Sequence, residues 1–414
     1  MTLFHFLWSL SFVLPSWTTL ESQLPLVSPP QVFKNKLPEA FHLQQSESQL
    51  VLYRDEQGLC PYSQQVWLAL ELKSIDYVTV LISGETTTHS TTTTTTTPRL
   101  QWPDGTVQTE SLDILQRIQD SFPDSAPDLY RRISKAVDNV RCNIVRFKGV
   151  FPRNTMASLQ APYLFRENGV LVPVQDHMVT LEEIDELLEE YDDGPFLCGS
   201  FVSAADIVWA PFLERYAAQL PLLHGGDALV PRSKAYVALL EWFDAMEELI
   251  PCYACRVAGD RTTWAKVLTQ AIHGGRVPPV DVLLPPRGNL IPTNRKKLNA
   301  QAIWKQYIEQ RPWMAQTPEE ELVAFIVRNC DSIRIDVAAT LQRSEQDVDV
   351  ALREVVAALL DHTLVDELSE TAIRVGAAVE DKLMVPRDVG VLPAATLRTL
   401  MAKISHAVDH KVLE

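Results

Sequence analysis

The sequence predicts a small mixed α/β domain, an all-α domain behind it, and an additional all-α extension. Three observations carry this. Two apolar, strand-like runs, residues 50–53 (LVLY) and 77–82 (YVTVLI), flank one helix-forming stretch. From residue 126 onward the apolar pattern is helical. A proline-rich tether, residues 278–297, then precedes a last helical region at 299–414. With 414 residues, 46% hydrophobic and 22% charged, the chain can hold two or three domains with their own cores.

The N-terminal run MTLFHFLWSLSFVLPSW is apolar, and Pro15 would end its helix. It lacks the positive start of a secretory signal and the Arg-rich bias of a transit peptide. It is also short for a membrane span, and no later stretch is long and apolar enough for one. Two readings stay open, a targeting segment or a tail. The compartment stays open with them: cytoplasm, or plastid or endoplasmic reticulum if the segment directs the chain. Residues 18–47 carry several prolines and read as linker, so 1–48 forms a leader and the first folded domain spans 49–125.

Within that domain, residues 50–53 form a strand and Gln57-Gly58-Leu59 a loop. Cys60-Pro61 then opens a helix whose apolar face uses Val66, Leu68, Ala69, Leu70 and Leu72. Proline suits a first helical turn, where its missing N–H has no intrahelical partner. Residues 77–82 form the second strand. Residues 85–97 are nearly all threonine, cannot bury a core, and read as a surface loop. Pro103-Asp104-Gly105 is a turn inside a hairpin over 98–109. Glu110-Ser111 opens another helix. Strand, helix, strand, hairpin, helix is the order of a thioredoxin-type unit.

The all-α domain spans 126–270. Residues 180–191 (TLEEIDELLEEY) have a helical period with an acidic outer face. Ser203 to Asp206 form a capping signature for a helix over 203–220: the Ser203 hydroxyl takes a first-turn N–H, and Asp206 answers back. A further helix covers 235–249. A proline-rich linker, 271–298, leads to the extension. Its helical periods lie at 300–310, 318–330 and 348–362, with Thr317-Pro318-Glu319-Glu320 as a strong helix start.

Chemistry concentrates at Cys60. A cysteine where a strand passes into a helix would have its thiolate stabilised by backbone N–H groups and the positive helix end. A lowered pKa would make it both nucleophile and leaving group in thiol–disulfide exchange. Ser63 stands where a two-cysteine redox motif has its second cysteine. The expected cycle is therefore monothiol, with a mixed disulfide released by a second thiol.

The segment VLYRDEQGLCPYSQQVWLALELKSIDY resembles the start of a cysteine-type glutathione transferase, close to the omega, lambda and dehydroascorbate-reductase groups. Thr97-Pro98 falls at the place of that family's cis-proline, and Glu110-Ser111 at its acidic-Ser pair. The resemblance covers roughly residues 49–270. It implies a thioredoxin-like glutathione-binding domain followed by an all-α glutathione-transferase domain. It also implies glutathione as cosubstrate, held by Pro61, Tyr62, Thr97, Pro98, Glu110 and Ser111, and no metal. Glu110 would meet the ligand's ammonium; the Ser111 hydroxyl and the helix N-terminus would meet its carboxylate. The implied activity is thiol transfer through Cys60: deglutathionylation, or dehydroascorbate reduction. Substrates would be small electrophiles, disulfides or glutathionylated proteins, and a homodimer would fit the family. The rival reading is a non-catalytic ligand-binding or interaction module. The threonine tract replaces the segment that usually supplies a basic contact to the glycyl carboxylate. Arg99 is a candidate there, on the other side of Pro98.

Other features read more plainly. Cys252 and Cys255 form a lone CxxC with too few neighbours for zinc; a redox role stays open, but the stretch follows a helical run and not a strand, which favours two incidental cysteines. Arg146, Lys148 and Arg153 are a solvated basic face, or attract an anionic substrate. Trp209, Phe212 and Tyr216, at helical spacing after the cap, either line a hydrophobic substrate pocket or, for the most part, belong to the core. Residues 333–365 have a helix–turn–helix flavour with Ser344 as a cap. The second helix is acidic, however, and a net charge of −16 disfavours nucleic acid.

Overall fold

The computed structural model describes residues 14–22, 30–38, 49–83, 97–131, 136–150, 164–191, 193–225, 234–275, 277–279, 281–282 and 299–413. The apolar start before residue 14, most of the threonine tract and most of the proline-rich tether lie outside these residues. The chain divides into two compact units. One comprises residues 29–310 together with 384–391; the other comprises 1–28, 311–383 and 392–414.

The first unit is built on a five-stranded sheet. Its strands are β1 (Val32–Lys34), β2 (Leu50–Asp55), β3 (Tyr77–Ile82), β4 (Arg99–Gln101) and β5 (Val107–Gln108), in the order β1-β3-β2-β4-β5. β1 and β2 run parallel to β3, while β4 and β5 are antiparallel to their neighbours. The predicted strands and hairpin are present. Trp102 and Thr106 close the hairpin turn, and Gly105 sits at φ +81°, where glycine carries no Cβ penalty. β1 was not expected: it comes from the stretch read as linker. Leu37, just after it, packs with Val51, Val78 and Val80.

Helix α1 (Pro61–Leu72) is buried along most of its length, because the sheet takes one face and the helical domain the other. Its last turn is closed by Lys73, whose buried ammonium donates to Gln119 and to the carbonyls of Ser125 and Pro127. α2 (Ser111–Ser121) packs beside α1 and buries Ile114, Leu115 and Ile118.

The helical domain follows with α3 (Ala136–Val150), α4 (Val174–Glu189), α5 (Ala204–His224), α6 (Val237–Leu249), a π-turn (Tyr253–Val257), α7 (Arg261–His273) and α8 (Ala300–Ile308). α5 is its axis and is buried nearly all round, as a helix surrounded by others must be. Its start is the expected capping box. Asp206 Oδ2 accepts from the Ser203 N–H and hydroxyl, both at 2.8 Å, and Oδ1 accepts from the Leu197 N–H and Trp242 Nε1.

The second unit contains a short helix, Trp17–Glu21, then α9 (Pro318–Arg328), α10 (Cys330–Leu341), α11 (Glu345–Leu360), a 3-10 turn (His362–Glu367), α12 (Glu370–Lys382) and most of α13 (Val391–Leu413). α11 is its centre and packs Val348, Leu352, Val355 and Val356 inward. Ser344 caps it as expected, through the Asp347 N–H. Thr317 and Glu320 form a reciprocal capping box on α9. Thr317→Ala should cost about 1 kcal/mol, read as a lower urea midpoint for this unit. Among the described residues, no helix is long and apolar enough to cross a membrane.

Candidate functional site

The loop between β2 and α1 is tied to the strand it leaves. Asp55 Oδ2 accepts the Leu59 N–H at 2.5 Å, and Oδ1 accepts the Cys60 N–H at 3.2 Å. Gly58 makes the bend at φ +70°. Cys60 then occupies the N-cap of α1, its Sγ accepting the Ser63 N–H at 3.4 Å. The Thr97 carbonyl lies 3.5 Å from the same sulfur, and the Thr97–Pro98 bond is cis. The structure therefore brings Cys60, Ser63, Thr97 and Pro98 to one point, where a helix start meets the lead into β4.

The electrostatics correct one expectation. The thiol is raised from its ordinary value, not lowered. Burial is the largest cause: Cys60 is only 2% exposed, and a thiolate there would lose its hydration. Ser63 and the Thr97 contact pull the other way, while the Asp55 carboxylate pushes up again. The helix start does supply its N–H; burial outweighs it.

Behind Cys60 lies a buried polar cluster that pattern reading missed. Gln64 on α1 donates to Glu214 at 2.7 Å and to the Val257 carbonyl at 3.1 Å. Glu214 also accepts from Tyr253, Trp264 and the Gly259 N–H. Arg215 donates to Gln64 at 2.9 Å, to the Pro211 carbonyl, and to the Leu59 carbonyl at 3.1 Å. Its guanidinium stacks 3.8 Å from the Trp264 ring centre. Burial raises Glu214 to about 7, against the opposing pull of Arg215 and its donors. The available signal was Glu214-Arg215 in the middle of an otherwise apolar helix, with Gln64-Gln65 on a helix buried on both faces.

The other predicted site residues are distributed as follows. Pro61 is buried at the first position of α1; Tyr62 is exposed and sets its ring edge against Phe212. Glu110 is the exposed N-cap of α2, and Ser111 is buried behind it. They follow β5, the neighbour of β4 in the sheet. Arg99 stacks over the Tyr53 ring at 4.7 Å. Trp209, Phe212 and Tyr216 are core, around Phe147 and His177. Arg146 is paired with Glu190 on the surface; Arg153 and the side chain of Lys148 lie outside the described residues. Cys252 and Cys255 are buried at the π-turn. Among the described residues, no group of three or more His, Cys, Asp or Glu side chains is arranged to hold a metal.

This arrangement agrees with comparisons to known proteins. Residues 59–121 match the glutathione S-transferase N-terminal domain, and residues 174–245 its C-terminal domain. Glutathione S-transferase L1 of Arabidopsis thaliana is 22% identical over 196 residues, which is 46% of this chain and 76% of that one. Glutathione S-transferase L3 of the same plant is 24% identical over 181 residues, 42% and 71% of the two chains. Among solved structures, glutathione transferase Omega 3C of Trametes versicolor aligns with a TM-score of 0.41 and 18% identity. It covers 57% of this chain and 96% of its own. Residues 59–121 and 174–245 are thus similar to the N- and C-terminal domains of glutathione S-transferases, the first stretch holding Cys60 and the second Ser203 and Asp206.

Proposed function

We propose that the protein is a glutathione-dependent monothiol transferase with Cys60 as its reacting group. The observation that carries this is the placement of the Cys60 sulfur. It caps α1 through the Ser63 N–H and lies beside the Thr97 carbonyl at the cis-proline, with serine where a resolving cysteine would stand. In the proposed cycle the Cys60 thiolate attacks the glutathione sulfur of a mixed disulfide. The S–S bond breaks, the other thiol leaves, and Cys60 carries the glutathionyl group. A glutathione thiolate then attacks that sulfur, releasing glutathione disulfide and restoring Cys60. Thr97, Pro98, Glu110 and Ser111 supply the glutathione contacts, with Pro61 and Tyr62 at the rim. Substrates of this class are glutathionylated proteins and small disulfides, with dehydroascorbate a further acceptor.

The deep burial of Cys60 favours a second reading, a ligand-binding or interaction module of the same fold. One experiment separates them. The reduced protein is incubated with glutathione disulfide and weighed by mass spectrometry. One glutathionyl adduct is expected, absent in Cys60→Ser. An unmodified wild-type chain, with no thiol-transferase turnover, would sink the enzyme reading.

A further inference from the structure

The segment Met384–Val391 belongs to the sheet-bearing unit, although the chain on both sides of it belongs to the other. Resting on the reading of Cys60 as the reacting thiol, we propose that this strap is a positioning element for the Cys60 loop.

The strap is preformed and buried. Asp388 donates its N–H to the Met384 carbonyl and accepts the Met384 N–H, each at 2.9 Å. Arg387 pairs with Asp388 through Nε at 2.7 Å and Nη2 at 2.8 Å, so the turn balances its own charge. Met384, Val385 and Val389 are buried. Two anchors hold it. The Val385 N–H donates to Thr263 Oγ1 at 2.9 Å. Gly390 presses so closely on the Cys255 carbonyl that a Cβ has no room beside its oxygen. Only glycine permits that approach.

Its free face meets the three residues before Cys60. Arg387 Nη1 donates to Gln57 Oε1 at 3.0 Å. The Arg387 backbone lies 3.5 Å from where a Cβ on Gly58 would sit. Met384 packs with Ala218, Trp264 and Val267, and Leu59 packs against the same cluster. Leu59 is therefore held on three sides. Asp55 takes its N–H, Arg215 its carbonyl, and the Met384 cluster its side chain. Exchange at a disulfide needs the attacking sulfur in line with the S–S bond, and misplacement by ~1 Å can cost about a hundredfold. A strap that fixes residues 57–59 fixes where Sγ points.

The test uses the full chain, with Arg387→Ala as the mild variant and Gly390→Val as the wedge. Single-turnover glutathionylation of Cys60 is followed over a range of glutathione disulfide concentrations. The limiting rate constant should fall roughly tenfold, with half-saturation unchanged within about twofold. Alkylation of Cys60 by iodoacetamide, which needs no docked glutathione, should rise about threefold or more as the loop loosens. A merely structural strap would lower the melting temperature and move neither rate in the folded protein. That result, in whichever variant folds, overturns the proposal. If wild-type Cys60 takes no glutathionyl group, the glutathione reading falls. The strap is then decided by iodoacetamide alone, and equal rates in variant and wild type reject it.

Discussion

Arg215→Met is expected to destabilise the sheet-bearing unit by about 3–5 kcal/mol at neutral pH, and by more as the pH rises. The substitution keeps much of the volume but removes donors to the carbonyls of Leu59 and Pro211 and to Gln64. It also strips Glu214 of its cationic neighbour. The pH dependence distinguishes this from a generic packing loss. In the wild type Glu214 titrates near 7, so above that pH it is ionised in both the folded and unfolded chains, and stability is flat with respect to it. Without Arg215 the buried carboxyl must stay protonated to fold, while the unfolded chain releases its proton. Stability then falls by about 1.4 kcal/mol for each pH unit above about 7. Urea unfolding followed by tryptophan fluorescence at pH 6, 7 and 8.5 measures it. Adding Glu214→Gln should abolish the slope, whereas an equal loss at all three values would refute the charge argument.

A second large effect is expected on the acid side. His177 on α4 and His224 at the end of α5 face each other with ring centres 5.6 Å apart. Neither ring nitrogen of His177 has a hydrogen-bond partner among the described residues. Burial lowers His177 to about 3, and His224 pushes the same way. The unfolded chain takes up a proton near the ordinary histidine value, whereas the folded chain cannot. Stability is therefore whole above about 6.5 and falls below it, by about 2 kcal/mol between pH 7 and pH 5. His177→Leu should remove most of that loss and cost little at pH 7, because no hydrogen bond goes with the ring. Denaturation midpoints at the two pH values decide it. An unchanged pH 5 deficit in the variant would place the acid sensitivity elsewhere.

Legibility followed the range of the interactions. Helix α1, the Pro103-Asp104-Gly105 turn and the caps at Ser203, Thr317 and Ser344 could be read because their causes lie within a few residues. The candidate site was legible to the same depth: Cys60 at a helix start, proline after threonine, an acid and a serine opening α2. What escaped depends on distant neighbours. The thiol is raised by burial, which no local motif encodes. Gln64, Glu214 and Arg215 satisfy one another across some 150 positions, whereas a polar residue on a helix ordinarily signals a solvated face. β1 is only three residues long, inside a proline-bearing stretch, and becomes a strand because β3 offers it a ladder. The strap carries no pattern of its own; Gly390 makes sense only against the Cys255 carbonyl.

That three-residue strand matters for solubility as well as shape. Val32–Lys34 covers the outer side of β3, and Asn35 extends the cover by donating to the Leu81 carbonyl and accepting the Ser83 N–H. Stripped of it, YVTVLI would present a bare row of amides and carbonyls on a β-branched run, a ready template for a neighbouring copy. The stretch that looks most expendable in the sequence is thus a guard against self-association. Trimming the chain back to Gln49 would leave Cys60 in place and make the molecule adhesive.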